Sequence, residues 1–350
     1  MRNNRLHSVD LARGLAVLFM ICVHCLDFYC IEEQKETIYG RIVKFLGSPP
    51  AAPVFMFLMG LSSMYSTNRS TKDYLKRGTR FFFEGYVLNI IRGVLPMYIG
   101  KVLELQTYKE IPVEERSFLN PLLIIDILQF AGVAIVFMGI IRNYFMNKIF
   151  LTFISIIIVY ASPYMWGFSC QNQVFDYIIG IFIGDKPLIG VIVNLFCFPF
   201  FPWFAFPLIG MIVGDVLIKS KNIDKDISLI ASVGILLIVY GGYQTFIDPS
   251  YQINDYYHSR SGCMCSMIGF VLAWLFICHK ITKLVPSRYF TLLYYWSQNV
   301  TTIYHIQWTA IVFSSIMFGV NQSSTSETVL ITLFIISLSH ILTVLWKKRQ

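Results

Sequence analysis

Charge is scarce in this sequence. Asp, Glu, Lys and Arg make up 14% of its 350 residues, against about 25% in a typical soluble domain. Apolar residues make up 56%, aromatics 16%, and the mean hydropathy is +0.61. A chain so poor in charge cannot hide its apolar surface in a water-soluble core, which excludes a soluble domain. Other features are missing too. There is no low-complexity tract and no internal repeat. No Cys/His spacing resembles a zinc site, so no metal is expected. No small-residue cleavage site follows the first apolar run, so that run reads as a span and not as a removed leader.

What is present is a series of long apolar runs. Crossing a bilayer as a helix takes roughly 20 such residues. The runs place spans near 10–30, 51–66, 81–100, 119–141, 149–167, 199–218, 227–246, 261–279, 298–318 and 326–345. The expected fold is therefore all-α, a polytopic membrane helix bundle of about ten transmembrane spans in one integral-membrane domain over 1–350. The second span is short and could start near Phe45. Residues 178–196 are apolar but interrupted by Asp185, Lys186 and Pro187. They read as re-entrant or interfacial, with an eleventh span as the alternative. Residues 289–297 read as a short helix at the membrane surface.

Loop basicity sets the orientation. Arg2 and Arg5, the 69–80 loop, Arg142 and Lys148, the 219–225 loop, Lys280 to Arg288 and the Lys347–Arg349 tail alternate with loops rich in Glu32, Glu33, Glu36, Glu104, Glu110, Glu114 and Glu115. Both termini are thus expected in the cytoplasm. The net charge of +8 is then explained by topology and calls for no nucleic acid. Cys22 and Cys25 lie inside a span and read as packing. Cys30, Cys170, Cys263 and Cys265 fall near the far face, where a disulfide among them is open.

Ionisable groups inside lipid are expensive, so each is a functional candidate. These are Asp10, Arg13, His24, Asp27, Glu84, Arg92, Asp126, Asp215 and His305. Glu84 reads as an ion pair with Arg80. Asp215 reads equally as a solvated helix end or a functional group. The first span differs because its polar groups line up. Arg13 and His24 are eleven residues apart, which is close to three turns and roughly 16 Å along the axis. Asp10 and Asp27 extend the same stripe by about one turn at either end. Gly14 beside it permits a close backbone approach. The alternative is a set of polar contacts gluing helices together. A buried histidine suits base chemistry, with Asp27 or Asp126 to orient its ring. A forked guanidinium near the cytoplasm suits a phosphate.

The stretch RLHSVDLARGLAVLFMICVH (Arg5 to His24) resembles the opening of the transmembrane acyltransferase superfamily, in which an Arg-Gly arginine precedes a histidine by eleven positions. Arg5, Ser8, Val9, Asp10, Arg13 and Gly14 resemble the heparan-alpha-glucosaminide N-acetyltransferase branch and its bacterial relatives. The stretches from Pro53 to Ser62, Ile125 to Ala134 and Phe201 to Asp215 are similar to later parts of the same pattern. The resemblance implies transfer of an acetyl group from cytoplasmic acetyl-CoA to a sugar on the far side. His24 would be the catalytic base or acyl carrier, with Asp27 and Asp126 as its supports. Asp10, Arg13, Gly14 and Arg92 would hold the donor. His258, His305 and Asn299 would touch the acceptor. The sequence departs from the pattern in two places. The lysosomal enzyme has asparagine where His24 stands, and its catalytic histidine lies farther along, whereas this chain has no histidine between Cys25 and His258. The arginine–histidine spacing is that of the bacterial O-acyltransferase branch, which leaves amine and hydroxyl acceptors both open. Gln307 stands where the C-terminal pattern expects histidine.

The expected function is a membrane acyltransferase, with acyl-CoA and a glycan or other hydroxyl or amine acceptor as partners. The alternative is a transporter or flippase; a scaffold without catalysis would not need the aligned charges. The bilayer is a partner, self-association stays open, and the expected location is a bacterial cytoplasmic membrane.

Overall fold

The computed structural model describes residues 6–66, 70–109, 116–184, 195–253 and 255–349. It is a helical bundle. Lipid offers no partner to a bare N–H or C=O, so each spanning segment must satisfy its own backbone. Among the described residues there is no strand, only two isolated bridges, Cys30 with Ser323 and Ile125 with Phe196.

Among the described residues, eight helices are long and apolar enough to cross a membrane: His7–Tyr29, Ile38–Tyr65, Ile127–Tyr144, Lys148–Met165, Phe200–Lys219, Ile223–Ile247, Ser261–Leu284 and Thr325–Lys347. The other two expected spans are helical as well. One is Thr71–Asn89, which continues through a π-turn at Ile90–Val94 into Leu95–Val102. The other is Val300–Phe318. The expected second span begins earlier than its apolar run, at Ile38, and is interrupted at Ser48–Ala51. Pro49 and Pro50 lack the N–H that would continue the ladder. The fourth span, expected from 119, is broken as well. A short turn at Leu119–Leu122 ends, and the helix restarts after Asp126 with a capping box to Gln129. Of the 178–196 segment, the helix Gln173–Ile183 covers the start, and 185–194 lies outside the described residues. The short helix expected at 289–297 is present as a 3-10 turn, Ser287–Phe290, followed by Thr291–Gln298.

The chain divides into two compact units. The first comprises Met1–Phe55, Leu95–Ile111 and Trp274–Gln350. Its core joins Val17, Ile21, Cys25 and Tyr29 of the opening helix to Trp296, Ile303, Ile311, Ile331 and Ile335. The Tyr29 hydroxyl donates to the Ile311 carbonyl at 2.5 Å. The ends of these helices are tied by Lys35, whose ammonium donates to Asp27 O, Glu32 Oε1 and Asn321 Oδ1 at 2.7–3.0 Å. All three of its protons are thereby used, which explains how a lysine can be buried.

Gly14 shows why the opening helix packs as it does. A Cβ at this position would collide with the carbonyl and Cβ of Leu293, so the Thr291–Gln298 helix lies directly on the glycine. The close approach expected beside the polar stripe is therefore made by protein. Gly14→Ala should cost about 1–3 kcal/mol, as overpacking does, and lower the melting temperature in detergent. An unchanged melting temperature would contradict this packing.

The second unit comprises Met56–Val94 and Pro112–Ala273. Small residues let its helix backbones touch, the usual solution where lipid supplies no hydrophobic drive between helices. Gly78 and Gly132 press on each other's carbonyls, as do Gly234 and Gly269. Gly60 meets Pro207, and Gly210 meets Phe57.

Candidate functional site

The polar residues expected to act together divide between the two units. In the first unit, Asp10 is buried and accepts from Ser297 Oγ at 2.9 Å. Ser297 comes from the helix that lies on Gly14, so one contact fixes both residues. Arg13 is half-buried one turn further along. His24 is half-buried, and three residues of the Val300–Phe318 helix surround its ring. The Gln307 amide nitrogen lies 3.1 Å from His24 Nδ1. Trp308 lies over the ring, with centroids 4.3 Å apart and planes 33° from parallel. Tyr304 meets it edge-on at 6.4 Å. Positions 304, 307 and 308 share one helical face. A buried glutamine between two aromatics is the signal in the sequence, and it becomes readable only once the partner helix is known.

The remaining residues of this unit stand as follows. Asp27 is exposed near the end of the helix. His305 Nδ1 lies 2.8 Å from the Thr301 carbonyl of its own helix. Asn299 donates to the Tyr295 carbonyl at 2.9 Å and closes the preceding helix. It sits at the junction between two helices, where a side-chain amide replaces a lost backbone partner.

In the second unit, Arg92 and Asp126 form an ion pair of 2.6 Å with both side chains largely buried. Arg92 also donates to Asn89 Oδ1 at 3.1 Å, and Asn89 in turn donates to the carbonyls of Leu122 and Ile124. Asn89 thus satisfies the backbone that the broken helix leaves unpaired. Gln129 donates to the Ile124 carbonyl and accepts from the Asp126 N–H. The π-turn around Arg92 makes room for this cluster; such turns recur at functional sites. Asp126 is thus engaged with Arg92, and the ring of His24 is held by Gln307.

His258 is buried, with Nδ1 2.6 Å from Asp255 Oδ2. Its Nε2 has no hydrogen-bond partner among the described residues. Trp166 meets the ring edge-to-face at 5.4 Å, and the Arg260 guanidinium lies over Trp166. The bond from His258 holds the Asp255 carboxyl below the usual carboxylate range. Because the folded-state value is the lower one, this stabilisation is complete above the ordinary aspartate pKa and fades as pH falls through the depressed value.

Two further charges form ion pairs. Asp215 pairs with Lys219 at 2.7 Å and Lys148 at 3.8 Å. Glu84 pairs with Arg80 at 2.7 Å, as expected. The disulfide left open among Cys30, Cys170, Cys263 and Cys265 is not formed; all four are free.

A family model described as heparan-alpha-glucosaminide N-acetyltransferase, catalytic, matches residues 5–244. No curated protein matches the chain.

Proposed function

We propose a reaction for this chain from the premise that it belongs to the heparan-alpha-glucosaminide N-acetyltransferase catalytic family. It transfers an acetyl group from acetyl-CoA, taken from the cytoplasmic side, to an amine or hydroxyl of a sugar on the far side of the membrane. Family membership makes it a membrane enzyme of the acetyltransferase type. The observation that supports a reaction centred on His24 is the clamp of Gln307, Trp308 and Tyr304 around its ring. A histidine whose plane and one nitrogen are both held presents its other nitrogen in a defined direction, which positions it for chemistry. Arg13, on the same helix roughly 16 Å away, would take a phosphate of the donor. Asp10 and Gly14 would hold that end of the helix in place through Ser297 and Leu293.

In the second unit, Arg92 is proposed as a further phosphate-binding group and His258 as an acceptor contact, each on its own geometry. Asp27, Asp126, Asn299 and His305 remain proposed supporting residues of the reaction.

Incubating the purified protein with acetyl-labelled CoA and glucosamine tests the reading. Release of free CoA with labelled sugar is the expected result. Uptake of the sugar into vesicles without acetylation would identify a transporter instead.

The proposed sidedness has its own test. In a cysteine-free background, Glu33→Cys should react with an impermeant thiol reagent added from outside cells. Lys72→Cys and Lys221→Cys should react only after permeabilisation. The opposite pattern would invert the topology and place the donor on the wrong side.

A further inference from the structure

His258 and Trp166 each bury a polar atom that nothing among the described residues satisfies. His258 is buried, and its Nδ1 lies 2.6 Å from Asp255 Oδ2. The bond from His258 holds the Asp255 carboxyl below its usual range, so at neutral pH it is ionised and can only accept. Nδ1 therefore carries a proton, and in the neutral ring Nε2 presents a lone pair. That lone pair is buried and without a partner. Trp166 Nε1 is buried without a partner as well, and an indole nitrogen only donates. The two rings meet edge-to-face at 5.4 Å. Two rings in contact thus carry one unpaired acceptor and one unpaired donor.

Both rings are held in place. Asp255 fixes the imidazole through Nδ1, and its other oxygen accepts from the Tyr257 N–H at 2.8 Å. The Arg260 guanidinium lies over both the Trp166 and Tyr251 rings, 4.7 and 4.4 Å from their centroids, and so anchors the indole by cation–π attraction. The chain passes Nε2 at Gly184, where a Cβ would come within 2.5 Å of it. The backbone φ of +71° there favours glycine in any case. All of these residues belong to the second unit. Buried polar atoms without partners are rare, and each calls for an explanation. Lipid and bulk water do not reach these two. The Asp255 side chain is one-third exposed, at 33%, so a partner enters the cluster from that edge.

We propose that His258 and Trp166 bind a sugar, with Nε2 accepting from a sugar O–H or N–H and the indole N–H donating to a sugar oxygen. The proposal rests on the acetyltransferase reading above, whose acceptor this site holds. The pairing of the two functions favours sugar chemistry. A hydroxyl both donates and accepts, so neighbouring hydroxyls of one ring satisfy both atoms. A carboxylate has no proton to give Nε2, and an ammonium has no lone pair for the indole. Aromatic walls with a few fixed polar groups are the usual make-up of a small-molecule site. A site built to hydrogen-bond a hydroxyl also rejects analogues that lack it. Asp255 is a positioning residue in this account, because it sets which nitrogen of His258 is bare. A water molecule offers the same two functions, so the test separates water from sugar.

Nitrogen-15 NMR of the histidine-labelled, full-length protein reads the site without a turnover assay. In the wild type His258 should carry its proton on Nδ1, with Nε2 bare. Asp255→Asn should mix the two tautomers, because an amide can donate as well as accept. Excess glucosamine, added without acetyl-CoA, should move the Nε2 resonance, which is assigned by its loss in His258→Asn. A protonated Nε2, or a resonance that glucosamine leaves in place because water fills the site, would overturn the proposal. Titration of glucosamine into the variants supplies the second readout. His258→Asn isolates the bare nitrogen, since its amide can still donate to Asp255 but puts nothing where Nε2 was. It should weaken glucosamine binding by roughly 5- to 150-fold, the cost of leaving a donor unpaired, with CoA affinity unchanged. Wild-type glucosamine affinity in folded His258→Asn would contradict the site. Should that variant fail to fold, Trp166→Phe decides, because it keeps an aromatic ring and removes the indole N–H. It should weaken glucosamine binding in the same range, and unchanged affinity would sink the proposal. Glucosamine binding that depends on His258 in a protein that never acetylates it would sustain this site and overturn the acetyltransferase reading. Acetylation with an unchanged KM for glucosamine in His258→Asn would do the reverse.

Discussion

His24→Ala should lose roughly 10²–10³-fold in acetyl transfer while the protein still inserts and folds. Loss of a positioned acid–base group and loss of a preorganised donor both fall in that range. The expectation follows from the clamp around the ring. Gln307, Trp308 and Tyr304 come from one face of a single helix, so removing the imidazole leaves the helices in place and deletes only the functional nitrogen. The stability cost should be measurable but not disabling, because the Trp308 contact is worth about 0.5–1.5 kcal/mol and the buried Gln307 amide loses a partner worth about 1–3 kcal/mol. Rates of CoA release and a melting curve on the same preparation separate the two effects. A folded His24→Ala enzyme within a few-fold of wild type would remove His24 from the reaction.

Arg13→Ala should weaken CoA binding by roughly 10- to 150-fold, because a hydrogen bond to a charged group is worth about 1.5–3 kcal/mol. Arg13→Lys should fall between Ala and wild type. Lysine keeps the charge but loses the planar fork that matches a phosphate. The grading separates a phosphate contact from a purely structural role, in which Lys and Ala would leave CoA affinity alone and change only the melting temperature. Titration of CoA into folded protein gives the answer. Affinity unchanged in both variants would move the phosphate elsewhere, with Lys72, Lys76, Arg77 and Arg80 as the basic cluster to examine next.

Much of the bundle is legible in the sequence because the physics of a span is local. An apolar run of sufficient length has few alternatives to a helix, and every expected span falls on helical structure. The breaks are less legible. The interruption near Pro49 and Pro50 could be read from proline chemistry. The restart at Asp126 could not, because it depends on Asn89 and Gln129 satisfying the freed backbone from other turns. The candidate site divides in the same way. Asp10, Arg13 and His24 are visible as one stripe on one helix, with Gly14 beside it. Their partners are not, because Ser297, Leu293 and Gln307 come from a segment nearly 300 residues later. Gln307 stood out only as a departure from an expected histidine. Its contact with His24 Nδ1 becomes visible only once the two helices are packed together.

The central claim is transfer from a donor on one face of the membrane to an acceptor on the other. Membrane vesicles with the cytoplasmic face outward, loaded with glucosamine and given acetyl-labelled CoA outside, test it directly. Labelled sugar should accumulate inside with wild-type protein and stay near background with His24→Ala. Equal labelling in the two, or labelling only when acetyl-CoA and sugar share the outer compartment, would contradict the account.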